Sequence, residues 1–294
     1  MIALLGPTAS GKSALALAVA KRLGGTVVNG DPYQALAGLA IGTGQPSEAE
    51  REGVPHVGYG LLPLSARPNP ASFGGLVREW LEAAPAPILV TGSGLYLRGI
   101  WNQLSDLPSV PEAIVIKLRN LDRRVGTRVL HRYLAAVDPQ RGEELHPNDG
   151  SRVQRALALH LATGARPSTL REGRVSGAPE KWKVLVVLPE RQARRDRVAR
   201  RVRAQFASGW EREVAGLVQA GHEADLRVLR PLGYEALMEE GPRSPNRAQE
   251  RIIQETQAYA KRQATWFRNQ LATAPTWDPD AESLEAAFEK VGLS

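Results

Sequence analysis

The residues best suited to chemistry stand at the start of the chain. Gly6-Pro7-Thr8-Ala9-Ser10-Gly11-Lys12-Ser13 fits G-x-x-x-x-G-K-[ST] in full. In such a loop the glycines let the backbone turn tightly, so successive N–H groups point inward at phosphate oxygens. A helix opening near Ser13 directs the positive end of its dipole at the same anion. Lys12 adds a full charge, and the Ser13 hydroxyl is suited to hold Mg²⁺. A di- or triphosphate is the expected ligand of residues 6–13. An ordinary ATPase also has an apolar strand ending in an Asp that helps hold Mg²⁺. Here the apolar run Pro87-Ile88-Leu89-Val90 ends in Thr91-Gly92-Ser93-Gly94, with no carboxylate. The nearest acid is Asp31, after Val28-Asn29-Gly30. Taken alone, Asp31 reads either as a solvated loop residue or as a group at the carboxyl edge of a sheet, where ligands of open α/β folds bind. With an ordinary pKa of about 3.9 it is ionised at neutral pH and can accept a proton.

These residues need a scaffold. Ile2 to Leu5, Thr26 to Asn29, Pro87 to Thr91 and Lys183 to Leu188 are short apolar runs, as expected of strands covered on both faces. Ser13 to Leu23, Arg191 to Trp210 and Arg247 to Leu271 are helical in pattern, and the last sets Ile252, Thr256, Tyr259, Gln263, Trp266 and Phe267 on one packing face. Between Ser109 and Lys181 no strand is expected. Helical pieces Glu112 to Arg124, Gly126 to Val137 and Asp149 to Thr163 are punctuated by Pro139, Pro147 and Pro167. The expected fold class is α/β, a P-loop NTPase-like parallel sheet flanked by helices, with a helical insertion domain. Its boundaries fall at 1–108 and 182–294 for the core and 109–181 for the insertion.

Charge is unevenly spread over the 294 residues. Residues 1–100 carry 7 Lys/Arg against 6 Asp/Glu; residues 111–204 carry 21 against 10, a net of +11; residues 205–294 carry 10 against 14. A segmental basic excess is the footprint of a nucleic-acid partner, or else an Arg-rich solvated surface. The absence of cysteine excludes disulfides and thiolate metal sites. No apolar run approaches the roughly 20 residues of a membrane span, and no secretory leader precedes the loop, so a cytoplasmic protein without membrane attachment is expected. Nothing in the sequence calls for an obligate protein partner.

Several separated stretches together resemble the tRNA dimethylallyltransferase (tRNA isopentenyltransferase) family. Besides the loop, Asp31-Pro32-Tyr33-Gln34 is similar to its Asp-Ser-x-Gln, and Ile41-Gly42-Thr43-Gly44-Gln45-Pro46 to its Ile-Gly-Thr-Ala-Lys-Pro. Thr91-Gly92-Ser93-Gly94-Leu95-Tyr96 resembles Gly-Gly-Thr-Gly-Leu-Tyr. His146-Pro147-Asn148-Asp149, with Arg152 and Arg155-Ala156-Leu157 after it, resembles the insertion. Leu232-Gly233-Tyr234 stands for Ile-Gly-Tyr, and Tyr259 to Arg268 for the C-terminal signature. The resemblance spans about residues 1–270. It implies transfer of a dimethylallyl group from its diphosphate to the exocyclic amine of an adenosine beside the anticodon, within the anticodon stem-loop of tRNA.

On that resemblance residues 6–13 hold the donor's diphosphate rather than ATP, and Mg²⁺ is the cofactor. Asp31 corresponds to the general base and Ser93 to a threonine near the reacting centre, with Lys12 stabilising the leaving group. Contacts to tRNA are implied at Asp31, Pro32, Tyr33 and Gln34, and at Ser151, Arg152, Val153, Gln154 and Arg155; Gln34 is placed to bond the edge of the base. The sequence departs from the family where Pro32 replaces Ser, Gln45 replaces Lys and Gln205 replaces Arg, so that either Arg201 or Arg203 takes over a diphosphate contact. His56 and His146 read as structural, and Trp266 and Phe267 as packing residues. The arginines from Arg191 to Arg203 suit an RNA-facing surface or the lid of a small-molecule P-loop kinase, which is the competing reading. A noncatalytic RNA-binding P-loop protein, a third reading, needs no general base.

Overall fold

In the computed structural model of the protein, Ile2–Leu5 (β1) lies between Pro87–Thr91 (β4) and Lys183–Val187 (β5), paired in parallel with both. Thr26–Asn29 (β2) extends the sheet beyond β4, and two short strands, His56–Val57 (β3) and Thr276–Trp277 (β6), finish its edges. The order is β3-β2-β4-β1-β5-β6, parallel throughout. The structure describes residues 1–293 apart from 103, 105, 106, 109, 172–177 and 242. The chain divides into two compact units, one of residues 1–102 with 176–294 and one of residues 103–175. The expected insertion start at 109 lies outside the described residues.

The first unit holds the sheet. Side chains alternate across β1: Ile2 and Leu4 face one layer, Ala3 and Leu5 the other. The first layer comes from Lys12–Leu23 (α1) and the C-terminal Leu284–Lys290 (α15), through Leu15, Val19 and Phe288. After α1 come two single turns, Ala40–Thr43 (α2) and Glu48–Arg51 (α3). Pro70–Ala83 (α4) and Gly94–Ile100 (α5) cover the opposite face with Phe73, Val77 and Leu97, joined by Phe267 of Pro245–Gln270 (α14). A buried parallel sheet with helices on both faces is the α/β arrangement that near-continuous apolar strands require.

The second unit contains Glu112–Val125 (α6), Thr127–Val137 (α7), Pro139–Glu144 (α8) and Gly150–Thr163 (α9), and no strand among its described residues. Leu118, Leu134, Leu145, Val153 and Leu157 make its core. Asp138 caps α8 through the Arg141 amide at 3.0 Å and Asp149 caps α9 through the Arg152 amide at 3.2 Å, which offsets the unpaired donors at each helix start.

Beyond β5 the helix expected from Arg191 to Trp210 is two helices. Arg191–Ala207 (α10) ends before Gly209, whose φ of +96° is a left-handed conformation that only glycine adopts cheaply, and Trp210–Gln219 (α11) starts in a new direction. Glu223–Leu229 (α12) and Tyr234–Glu239 (α13) follow. Val198, Val202, Trp210, Tyr234 and Ile252 form a further core joining α10, α11, α13 and α14. Among the described residues no helix is long and apolar enough to cross a membrane.

Candidate active site

The phosphate loop leaves the carboxyl end of β1, the central strand. Gly6 turns the chain at a φ of +145°, and a Cβ there would lie 2.2 Å from the Val187 carbonyl oxygen of β5, so only glycine fits. Gly11, at φ +99°, starts α1 without a side-chain cap. Its helix start is therefore left open to an external anion. Ser10 Oγ is buried with no hydrogen-bond partner among the described residues. Lys12 Nζ folds back 2.7 Å onto the Pro7 carbonyl, and Ser13 is exposed on the first turn of α1.

Two clefts share this loop. One, of about 300 Å³, is lined by Thr8, Lys12, Ser13, Asp31, Gln34 and Arg201, and extends to Thr91, Gly92, Tyr259 and Gln263. The other runs along residues 9–14 opposite Arg197, Arg200 and Arg201. Lys12, Ser13 and Arg201 border both. Burial pushes the Lys12 ammonium down to about 7, helped by the neighbouring Arg201 charge and opposed by Asp31.

Asp31 is held by its own strand end. Its amide donates to Asn29 Oδ1 at 2.8 Å, Asn29 Nδ2 donates to the Asp31 and Gly58 carbonyls, and Asp31 Oδ1 accepts the Tyr33 amide at 3.0 Å. Burial pushes the carboxyl above the usual carboxylate range, while the Tyr33 and Gln34 amides, Lys12 and Arg201 pull the other way. The expectation of an ordinary aspartate is corrected here: desolvation outweighs the cations around it. That brings its pKa toward the operating pH of a general base.

The other expected residues divide. Gln34 lines the cleft, but its Nε2 donates to the Thr43 and Gly44 carbonyls at 2.9 and 3.0 Å, which leaves only its Oε1 acceptor for a ligand. Pro32 is buried, and Tyr33 bonds the Leu229 carbonyl through its hydroxyl. Ser93 is not among the residues lining the cleft; its amide donates to Thr91 Oγ1 at 3.2 Å, and the wall there is Thr91 and Gly92. Of the two arginines left open, Arg201 lines the cleft and donates to the Thr43 carbonyl at 3.0 Å, whereas Arg203 is exposed. Gln205 donates to the Ile41 and Gly42 carbonyls at 2.7 and 2.9 Å, so it braces the loop around α2. Glu213 completes the brace by accepting the Ile41 and Gly42 amides and the Tyr234 hydroxyl.

In the helical unit, Ser151, Arg152 and Arg155 are exposed on α9, with Arg152 paired to Asp149 at 3.2 Å. Val153 is a core residue there, and Gln154 donates to Asp122 at 2.7 Å. Their side chains serve packing and helix–helix bonding. His56 bonds the Val54 carbonyl, and His146 Nδ1 accepts the Asn148 amide. Phe267 is buried against the sheet, and Trp266 packs edge-on against it.

Gln263 was legible only as a packing residue, yet it holds the site together. From α14 its Oε1 accepts the Thr8 amide at 2.9 Å and its Nε2 donates to the Gly92 carbonyl at 2.8 Å. The phosphate loop and the turn after β4 are thereby tied to one side chain.

A parallel α/β sheet with a phosphate loop at its carboxyl edge and a half-buried carboxylate in the same cleft defines a P-loop-like protein. The profile described as IPP transferase matches residues 34–270 and that described as isopentenyl transferase matches residues 1–57, so the chain belongs to the IPP transferase family. A tRNA dimethylallyltransferase of Geobacter metallireducens is 40% identical over 91% of this chain and 89% of its own length. The crystal structure of a tRNA isopentenylpyrophosphate transferase from Staphylococcus epidermidis has 27% identity and a TM-score of 0.67, covering 99% of this chain and 96% of that one. The fold alone is shared, at 22% identity and a TM-score of 0.78, with a eukaryotic dimethylallyltransferase acting on tRNA, over 98% of this chain and 77% of that one.

Proposed function

We propose that the protein transfers a dimethylallyl group from dimethylallyl diphosphate to the N6 amine of adenosine-37, next to the anticodon of tRNA. The products are N6-isopentenyladenosine and diphosphate. The reading is carried by one observation: phosphate loop and half-buried carboxylate line a single cleft in a chain related to enzymes named tRNA dimethylallyltransferases. In this reading the loop amides, Lys12 and Arg201 hold the diphosphate. The nitrogen lone pair forms the bond to the allylic carbon as the carbon–oxygen bond to the diphosphate breaks. Asp31 takes the proton that the amine releases, which removes the handicap of a lone pair delocalised into the ring. Negative charge on the departing oxygen is met by donors already in place.

The Oε1 acceptor of Gln34 suits the second hydrogen of that amine. The target base must leave its stack to reach a site at this depth, as for other enzymes that modify bases. Exposed Arg152 and Arg155 in the helical unit would bind tRNA phosphates. The Ser13 hydroxyl, which lines the same cleft, fits Mg²⁺, an ion that takes few protein oxygens beside substrate phosphates and water. When bound, the ion would neutralise charge on the diphosphate.

The deciding experiment is mass analysis of tRNA incubated with the protein, dimethylallyl diphosphate and Mg²⁺. A gain of one C5H8 unit on a single adenosine is expected. Consumption of ATP with a small metabolite, and unmodified tRNA, would replace this reading with the kinase.

A further inference from the structure

Helix α10 carries seven arginines and one aspartate, a net of +6, while residues 103–175 carry 12 Lys/Arg and 8 Asp/Glu, a net of +4. The larger share of the basic excess of residues 111–204 therefore lies on a helix of the sheet unit. Its arginines have separate surroundings. Arg201 borders the active site and Arg197 pairs with Asp280. Arg191, Arg194 and Arg195 instead line a cleft of about 300 Å³ between α10 and α14, with Gln254, Gln257 and Lys261 opposite.

Arg194 is 4% exposed, yet among the described residues its side chain bonds only a carbonyl, that of Pro189 at 3.2 Å. No carboxylate is among the described residues lining the cleft. Glu190 is near, but its carboxylate caps the Gln192 and Ala193 amides. Burial and the Arg268 charge push the guanidinium below its usual range, with Glu190 opposing. A buried cation whose nearest carboxylate is engaged in a helix cap is costly, and here two more arginines and a lysine share the same space.

We propose that the α10–α14 cleft binds the phosphodiester backbone of the tRNA, as a second contact surface apart from the catalytic cleft. Guanidinium groups match phosphate oxygens two at a time, and the glutamine amides suit ribose hydroxyls. No aromatic side chain lines the cleft among its described residues, so a free nucleotide would find nothing to stack on. The proposal rests on the reading of tRNA as acceptor.

The test is tRNA binding across a KCl series for wild type and for the exposed triple variant Arg191→Ala, Arg195→Ala, Lys261→Ala. Removing one phosphate-binding cation should reduce the log–log salt slope by roughly 0.7–0.9, so with three removed the slope should fall by about 2.1–2.7 and low-salt affinity at least tenfold. Affinity for dimethylallyl diphosphate should be unchanged, and Arg195→Lys with Lys261→Arg should retain tRNA binding. Equal slope and affinity in the triple variant and in a steeply salt-dependent wild type would overturn the cleft assignment alone. Loss of inorganic phosphate binding with tRNA binding intact would do the same, making the cleft a site for free anions. A wild type that fails to bind tRNA would remove the acceptor reading itself.

Discussion

Gln263 accepts the Thr8 amide across 255 residues of sequence. Replacing it by Leu leaves that amide and the buried Gly92 carbonyl unpaired, which costs about 1–3 kcal/mol. Gln263→Leu should lower the urea midpoint accordingly and raise the KM for donor. Gln263→Glu keeps an acceptor for Thr8 but adds charge beside the loop, so donor binding should suffer more than stability. Unfolding of the Leu variant at the wild-type urea concentration would show that the tie contributes nothing.

Lys12 predicts a proton linkage. With its free pKa lowered to about 7, the side chain is largely neutral at pH 8, and a bound diphosphate favours the ammonium. Donor binding should take up a proton above pH 7, and affinity should fall as pH rises through that value. Calorimetry at pH 8 in buffers of different ionisation enthalpy measures this uptake. Lys12→Arg, which stays charged, should lose the buffer dependence, and Lys12→Ala should abolish turnover without unfolding the protein. Identical proton uptake in wild type and the Arg variant would assign it to the ligand instead.

Asp31 acts only when ionised, so transfer should decline as acid protonates it. Because burial raises its pKa, that decline should begin above the ordinary carboxylate range. Asp31→Asn should slow single-turnover transfer by about 10²–10⁴ while both substrates still bind. Recovery of the wild-type rate at high Mg²⁺ would mean that Asp31 serves metal binding rather than proton transfer.

The helical unit gives a fourth expectation. Arg152→Ala with Arg155→Ala should weaken tRNA binding and reduce its salt slope by roughly 1.4–1.8, leaving donor affinity alone. Val153→Ala should do the reverse: it opens the core and costs about 1–3 kcal/mol, with little effect on tRNA affinity for the folded fraction. Unchanged tRNA affinity in the double arginine variant would mean that Arg152 and Arg155 do not bind the tRNA phosphates.

The loop and the four long strands were readable because their determinants are contiguous: eight residues in one turn, or four to five apolar residues in a run. Strands β3 and β6 are two residues each, too short for any periodicity. Arg201 could not be told from Arg203 because α10 carries arginine on most sides, which hides the inward face; the packing of Val198 and Val202 reveals it. Thr91 rather than Ser93 lines the cleft because the strand ends at Thr91, and Ser93 already stands at the start of α5, where the chain turns away. Gln263 was missed because a glutamine on a packing face gives no sign of the loops it joins.

The place of β5 has a consequence for synthesis. β1 pairs with β4 on one side, but its other neighbour is made only after residues 103–175 have emerged. Until then the central strand is an open edge, the kind of backbone that recruits other chains. The helical unit is continuous in sequence and rich in local contacts, the condition for rapid folding, and domains fold as units as the chain lengthens. The order of birth should therefore reverse the order of sequence: on ribosomes stalled with residues 103–175 emerged and β5 still inside the exit tunnel, residues 103–175 should resist protease while the sheet segments are still being cut. The catalytic cleft forms later still, since no nascent chain holds it before Gln263 leaves the exit tunnel.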